Sequence, residues 1–447
     1  MANKVTPRTL SGFMELLPQD QMKFDRIVNT LEDVYASYGF LPLDTPILEA
    51  SEVLLAKAGG ETEKQIYRFN KGDTDLAMRF DLTVPLAKFV AKNYSSLTFP
   101  FKRYQIGKVY RGERAQKGRF REFYQADIDI IGDTSLGIMN DAELPSIIYN
   151  IFTDLGLDDF TIRMNNRKVL SGFFEILDLS DHVADILRVV DKLEKIGSAA
   201  VIEELKTLGV SEEKCSEIIR FISISGSNEA VVAQLRNYAG QSEVFDTGVD
   251  ELEAVTKGVS AFGVPEKNYK IDLCIARGLD YYTGTVYETT FNRHPEIGSI
   301  CSGGRYDNLA SQGNRKYPGV GLSIGLSRLV SYMLHSAGAH ASRVCPASVL
   351  VAVWNEQDRS AANLIANTLR SRGIAADVAP TAAKLGKQIK YADKLGIPYV
   401  WFPAGATDGD DTASDEVKNI VTGDQQPADP KSWQPDTVYA RQTVVID

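Results

Sequence analysis

The stretch FKRYQIGKVYRGERAQKGRFREFYQADIDIIG, residues 101–132, decides the fold. KRYQIGKVYRG (102–112) and EFYQADIDIIG (122–132) are rich in the aromatic and β-branched residues that suit a pleated surface, and the polar ERAQKGR (113–119) between them contains a glycine. Two such runs joined by a short polar loop predict an antiparallel hairpin, with a loop longer than the tightest turns. Residues 101–123 also concentrate Lys102, Arg103, Lys108, Arg111, Arg114, Lys117, Arg119 and Arg121 against Glu113 and Glu122. In a chain whose net charge is −10, that density calls for an anionic partner or a structural reason. Alternation in ADIDIIG (126–132) leaves Asp129 with two readings, a binding residue or an outward, solvated strand position.

Working outward, QDQMKFDRIVNTLEDVYASYG (19–39) sets Phe24, Ile27, Leu31, Val34 and Tyr38 on one helical face and offers Gly39 as a left-handed cap. FLPLDTPILEASEVLLAKAG (40–59) predicts an extended piece punctuated by Pro42 and Pro46, then a helix. QIYRFN (65–70) and LAMRFDL (76–82) read as strands. The region 168–265 changes character: DHVADILRVVDKLEKIG, AAVIEELKTLG and EEKCSEIIRFISI, separated by Gly and Ser, predict a helical insertion. Strand signals return in YKIDLCIARGLDYYTGTVYETTF (269–291), followed by a Gly-rich turn at ICSGGRYDNL (300–309). GVGLSIGLSRLVSYML (319–334) passes from strand to helix near Leu326. The expected organisation is a core over 1–335 interrupted by 168–265, a small-residue linker over 336–346, and an α/β domain over 347–447, where strand and helix alternate. The acidic ATDGDDTASDE (406–416) reads as a solvated excursion.

A chain of 447 residues, 44% apolar with a mean hydropathy of −0.17, reads as a soluble globular protein able to bury a large core. No run approaches the roughly twenty apolar residues of a membrane span, and MANKVTPRTLSGF lacks the zones of a signal peptide, so the cytoplasm is the expected location. Cys215, Cys274, Cys301 and Cys345 form no CxxC pair, and His182, His294, His335 and His340 no HxxxH spacing; neither a disulfide framework nor a zinc site is expected. The acidic balance argues against non-specific coating of nucleic acid.

No Ser/His/Asp arrangement, P-loop or GxGxxG after a first strand is visible. The chain offers arginines beside aromatics and glycines. Nucleotidyl transfer asks a protein mainly to position a triphosphate and neutralise charge growing on the α-phosphate, and the planar guanidinium fork suits both tasks. Singly, Arg111 reads more readily as a surface or structural ion-pair residue, and Arg328 as a helix N-terminal arginine paired with a carboxylate. In order along the chain, however, YGFLPLDTPILEASEVL (38–54), VYRGERAQKGRFREFYQ (109–125) and GVGLSIGLSRL (319–329) resemble the three motifs of the class II aminoacyl-tRNA synthetases. Nearly the whole chain is similar to the histidyl-tRNA synthetase family within that class, with IARGLDYYTGTVYE (275–288) and SGGRYDNL (302–309) as its specific segments.

The resemblance implies an α+β fold: an antiparallel sheet flanked by helices, a helical insertion near the acceptor arm of tRNA, and a C-terminal α/β anticodon-binding domain. It implies that Arg111 and Arg277 are catalytic and that ATP, with Mg2+ on its phosphates, meets Arg111, Glu113, Phe123 and Arg328. Histidine would be held by Asp81, Leu82, Thr83 and Gln125, with Asp81, Thr83 and Gln125 serving the α-amino group. Asp129, Tyr281, Tyr282 and Tyr306 would surround the ring, and Arg277 would take the carboxylate. Gly303 and Gly304 would let backbone approach the ligand. Lys387, Lys390 and Lys394 on AAKLGKQIKYADKLG (382–396) would contact tRNA(His), although a lysine face also reads as merely solvated. The first motif implies a homodimer, and no membrane or zinc is implied. Ser327 departs from the family pattern, which carries glutamate there. Two rivals share the resemblance, a non-catalytic regulatory subunit of ATP phosphoribosyltransferase and an amino-acid-sensing module.

Overall fold

The computed structural model describes residues 6–55, 63–114, 118–275, 282–308, 315–335, 339–404 and 414–445. The chain forms two compact units, Met1–Glu15 with Ile27–Tyr332, and Leu16–Arg26 with Met333–Asp447. In the first unit the strands are β1 (Leu41–Pro42), β2 (Leu48–Ala50), β3 (Arg68–Lys71), β4 (Thr74–Met78), β5 (Phe101–Tyr110), β6 (Glu122–Ile131), β7 (Phe160–Asn166), β8 (Tyr269–Ile271), β9 (Thr285–Phe291), β10 (Cys301–Tyr306) and β11 (Gly319–Ile324).

The expected hairpin is β5 and β6, paired antiparallel over ten positions from Phe101↔Ile131 to Tyr110↔Glu122. It lies near one end of an eight-stranded sheet ordered β1-β5-β6-β11-β10-β9-β7-β8. The six central strands are antiparallel, and the short edge pairs β1/β5 and β7/β8 are parallel. Every residue of β6 from Gln125 onward is buried, on both faces. That is why alternation alone could not orient Asp129: the sheet is covered on either side, so neither face is the solvated one. The helix Pro18–Ser37 forms where the 3.6-residue period placed it, burying Ile27, Leu31 and Val34 together with Tyr35, and Gly39 adopts φ 76° just beyond it.

Residues 300–309, expected as a turn, hold a strand, β10. Its glycines make room for protein and not for a bend: a Cβ on Gly303 would lie 2.0 Å from the Gly321 carbonyl of β11, and one on Gly304 would lie 3.0 Å from the Tyr282 ring. The stretch between β7 and β8 is helical throughout its regular structure, from Arg167–Ile176 to Glu243–Ala261. The serines that separate its helical patterns are N-caps: Ser211, Ser227 and Ser242 accept the N–H groups of Lys214, Ala230 and Phe245 at 3.4, 3.3 and 3.1 Å. Phe173, Phe221 and Phe245 fill its interior, the first two stacked with centroids 3.7 Å apart.

The second unit carries a five-stranded sheet. Its strands Val349–Val351, Ala376–Val378 and Tyr399–Phe402 are parallel, and Glu416–Asn419 and Gln425–Pro427 extend it antiparallel. The helix Leu385–Leu395 buries Ala392 and Gln388 and leaves Lys387, Lys390 and Lys394 exposed. Gln388 is tolerated inside because its amide pairs with both polar groups of Val353, Oε1 accepting at 3.0 Å and Nε2 donating at 2.8 Å. Most of the acidic segment 406–416 lies outside the described residues. Its Asp415 is a structural tie, accepting from the Trp401 indole at 3.0 Å and the Ala404 N–H at 2.6 Å.

Candidate active site

The floor of the site is one face of three neighbouring strands. Side chains two apart share a face, so β6 presents Gln125, Asp127 and Asp129 together. Register sets Gly107, Gln105 and Arg103 of β5 opposite them on one side, and Ser323 and Gly321 of β11 opposite Asp127 and Asp129 on the other. Asp129 is 2% exposed and pairs with the Arg103 guanidinium at 2.7 Å. It also accepts the Tyr306 hydroxyl at 2.6 Å. A Cβ on Gly321 would lie 2.2 Å from its Oδ1, so only glycine leaves space for this carboxylate. Arg103, wholly buried, also donates to the Leu82 carbonyl at 3.2 Å.

That contact joins the floor to the segment RFDLT (79–83). Leu82 itself is buried, and it is its backbone carbonyl that faces Arg103. Thr83, half-buried, opens the helix Thr83–Asn93, and Asp81 accepts the Val84 N–H at 3.1 Å. The other Asp81 oxygen is buried without a hydrogen-bond partner among the described residues, as is Gln125 Oε1. Two such acceptors call for a ligand that brings donors.

Above the floor opens a cleft of about 230 Å³ lined by Arg111, Glu113, Phe123, Gln125, Ser323, Ser327 and Arg328, among others. Much of the basic run now has its structural reason: Lys102 pairs with Glu143 at 2.7 Å, Lys108 with Glu122 at 2.8 Å, and Arg119 with Glu113 at 3.4 Å. Arg111 instead donates to the Phe80 carbonyl at 3.0 Å, and its guanidinium stands 5.2 Å from the Phe123 ring centroid. Arg328 bonds the Gly118 carbonyl at 3.1 Å and the Ser299 carbonyl. Two guanidinium groups and an aromatic face around one cleft suit a polyphosphate joined to a flat base. Ser327, 1% exposed, accepts the Tyr124 N–H at 2.9 Å and so ties the start of the helix Leu326–His335 to β6.

Not every expected residue joins this cleft. Tyr282 is half-buried beside a separate hollow of about 750 Å³ with Arg167, Lys168 and Thr283, and its carbonyl accepts from Arg167 at 3.0 Å. Tyr306 is 2% exposed and reaches the site through its hydroxyl on Asp129. Arg277 and Tyr281 lie outside the described residues. Arg103, Asp127 and Ser323 were not singled out as site residues from the sequence; the signal for Asp127 was strand alternation, which puts it on the face of Gln125 and Asp129, whereas Arg103 and Ser323 join that face through strand register.

The comparisons with known proteins agree with one another. Residues 12–329 match the family model described as histidyl-tRNA synthetase, and residues 348–425 match the anticodon binding domain. The chain belongs to the histidyl-tRNA synthetase family. It is 55% identical over 429 residues to a histidine–tRNA ligase of Clostridium tetani, covering 94% of this chain and 96% of that protein. The crystal structure of histidyl-tRNA synthetase from Nostoc sp. PCC 7120 superposes with a TM-score of 0.83 at 40% identity, covering 95% of this chain and 97% of that one. A Bacillus halodurans structure described as an ATP phosphoribosyltransferase regulatory subunit/histidyl-tRNA synthetase shares the fold, with a TM-score of 0.72 at 21% identity over 87% of this chain and 97% of that one. The α+β architecture expected of a histidyl-tRNA synthetase is thus the one observed.

The buried carboxylates make stability depend on pH. Burial pushes Asp81 up to about 6 and Asp127 up to about 7, against the pull of the Val84 N–H and Arg111 on the former and of Arg103 on the latter. The folded chain therefore keeps protons that an unfolded aspartate, titrating near ~3.9, has already released. Stability contributed by these groups falls as pH rises from about 4 through the folded values and levels off above them. The Tm of the ligand-free protein should fall between about pH 5 and pH 8, and Asp127→Asn should flatten that slope in calorimetry. An unchanged slope would contradict the assignment.

Proposed function

We propose that the chain is a histidine–tRNA ligase that activates L-histidine with ATP and transfers it to the 3′ end of tRNA(His). The reading is carried by the cleft, where Arg111, Phe123 and Gln125 of the hairpin meet Arg328 from a helix some two hundred positions away. Arg111 holds the α-phosphate, Phe123 lies against adenine, and Arg328 stacks on the base and reaches the γ-phosphate. Mg2+ would arrive on the triphosphate and offset its charge, and Glu113 is a carboxylate of the cleft lining that could hold it. The histidine ammonium satisfies the open acceptors of Asp81 and Gln125, and Asp129, with Tyr306 and Arg103 fixing it, faces the imidazole. Arg277 brings the substrate carboxylate to the α-phosphate. Attack there releases pyrophosphate and leaves histidyl adenylate, and a ribose hydroxyl of the tRNA end then displaces AMP.

Exchange of labelled pyrophosphate into ATP, run with each standard amino acid, tests this. Exchange should appear with histidine alone and vanish in Arg277→Ala; histidine binding without exchange would overturn the reading. A regulatory-subunit role has support in the fold alone, whereas the chain keeps the nucleotide arginines and the anticodon-domain match.

The exposed lysines of the helix Leu385–Leu395 supply an electrostatic face for the anticodon arm. Changing Lys387, Lys390 and Lys394 together to alanine should raise the KM for tRNA about tenfold to a hundredfold at low salt and flatten its salt dependence. Pyrophosphate exchange should stay at the parental rate. Pairing of two chains through the first-motif region is supported by the exposure of Leu41, Ile47 and Leu48 there, and of Phe69 on β3 in the same three-stranded sheet as β2. Among the described residues no helix is long and apolar enough to cross a membrane.

A further inference from the structure

Gln125 has a choice that Asp129 lacks. Its amide can present either oxygen or nitrogen to a ligand, and only the oxygen can receive an ammonium group. The choice is made by a chain of two hydrogen bonds running away from the cleft. Ser323, directly across the register from Asp127, gives its hydroxyl proton to Asp127 Oδ1. The serine oxygen then has only lone pairs to offer, so it takes a proton from Gln125 Nε2, at 2.6 Å. With its nitrogen so engaged, Gln125 must turn Oε1 the other way, and that oxygen is the buried one without a partner among the described residues. Gln125 and Ser323 line the cleft, whereas Asp127 is 3% exposed and lies beneath them.

We infer that Asp127 is a positioning residue for amino-acid recognition: through Ser323 it locks the Gln125 side chain with its carbonyl oxygen toward the substrate ammonium. The inference rests on the reading of this cleft as a histidine-activating site. Without an acceptor at position 127, the Ser323 proton turns to Gln125, the amide reverses, and an NH2 group confronts the ammonium. The penalty falls on the amino acid and not on ATP, whose arginines belong to other segments. A glutamate at position 125 would have no such choice, because both of its ends accept.

The test is a double-mutant cycle read by pyrophosphate exchange at saturating ATP and, separately, at saturating histidine. Asp127→Ala should raise the KM for histidine on the order of tenfold or more, as expected for a hydrogen bond to a charged group, and leave the KM for ATP within about twofold. In the Gln125→Glu background the same Asp127→Ala change should move the histidine KM less than about twofold. An equal rise in both backgrounds, an equal rise for ATP, or no rise in the parental background would overturn the inference. Absence of histidine-dependent exchange in the unmodified protein would instead overturn the functional reading beneath it. Loss of the fold in Asp127→Ala is met by Ser323→Ala, which severs the same chain from the cleft side and should show the same split between the two substrates.

Discussion

Arg111→Ala should lower histidine-dependent pyrophosphate exchange by about a hundredfold to a thousandfold, the scale of losing one preorganised group that meets charge developing in a transition state. Arg111 follows β5, and its side chain is steadied by the Phe80 carbonyl and the Phe123 ring. Neither contact is a buried ion pair, but the bond to the Phe80 carbonyl and the pull on Asp81 are both lost, so unfolding free energy should fall by about 1 kcal/mol. The loss should fall on kcat more than on the KM for ATP if the guanidinium acts mainly on the pentavalent phosphate. Single-turnover adenylate formation measures this directly. A KM effect alone would assign Arg111 to ground-state binding.

The second large effect is on stability. Arg103 is the cation that faces Asp129 at 2.7 Å, and it also draws down the raised values of Asp127 and Asp81. Arg103→Met would leave those carboxylates buried without it. Removing one partner of a buried pair typically costs about 3–5 kcal/mol, because the remaining charge can neither reach water nor find a counter-charge. The loss, measured by denaturant unfolding at pH 7.5, should shrink at pH 5, where the carboxylates take up protons instead. A loss independent of pH would mean that packing, not charge, is what Arg103 supplies.

These two arginines also show what the sequence could tell. Arg111 was legible through the resemblance of three ordered motifs to the class II synthetases, since singly it and Arg328 read as structural ion-pair residues. The hairpin, the first helix and the alternation of the last domain were legible without any resemblance, because local periods write them directly. Arg103 looked like one more member of the basic run. Its partner in space is defined by strand register, and Tyr306, which completes the arrangement, lies 177 positions from Asp129. No local pattern carries pairings of that range. The glycines of SGGRY misled for a related reason: composition suggests a turn, but the demand for glycine comes from a neighbouring strand and the Tyr282 ring. Ser327 could be flagged only as a departure, and its bond to the Tyr124 N–H supplies the role.

The helical stretch between β7 and β8 has one more implication. The strand that leads into it and the strand that receives it are paired side by side, Ile162 against Tyr269. The chain thus leaves the sheet at the end of β7, crosses over, and returns on the neighbouring parallel strand at the level of Ile162. Whatever length lies between, neither strand has to slide, and the distance from Asp129 to Gly321 is untouched. The part of the stretch between Ile176 and Glu243 is therefore a natural splice point, where residues can be gained, lost or exchanged while the helix Glu243–Ala261, packed on the helix Met139–Asp154, and the chemistry a few strands away keep their geometry.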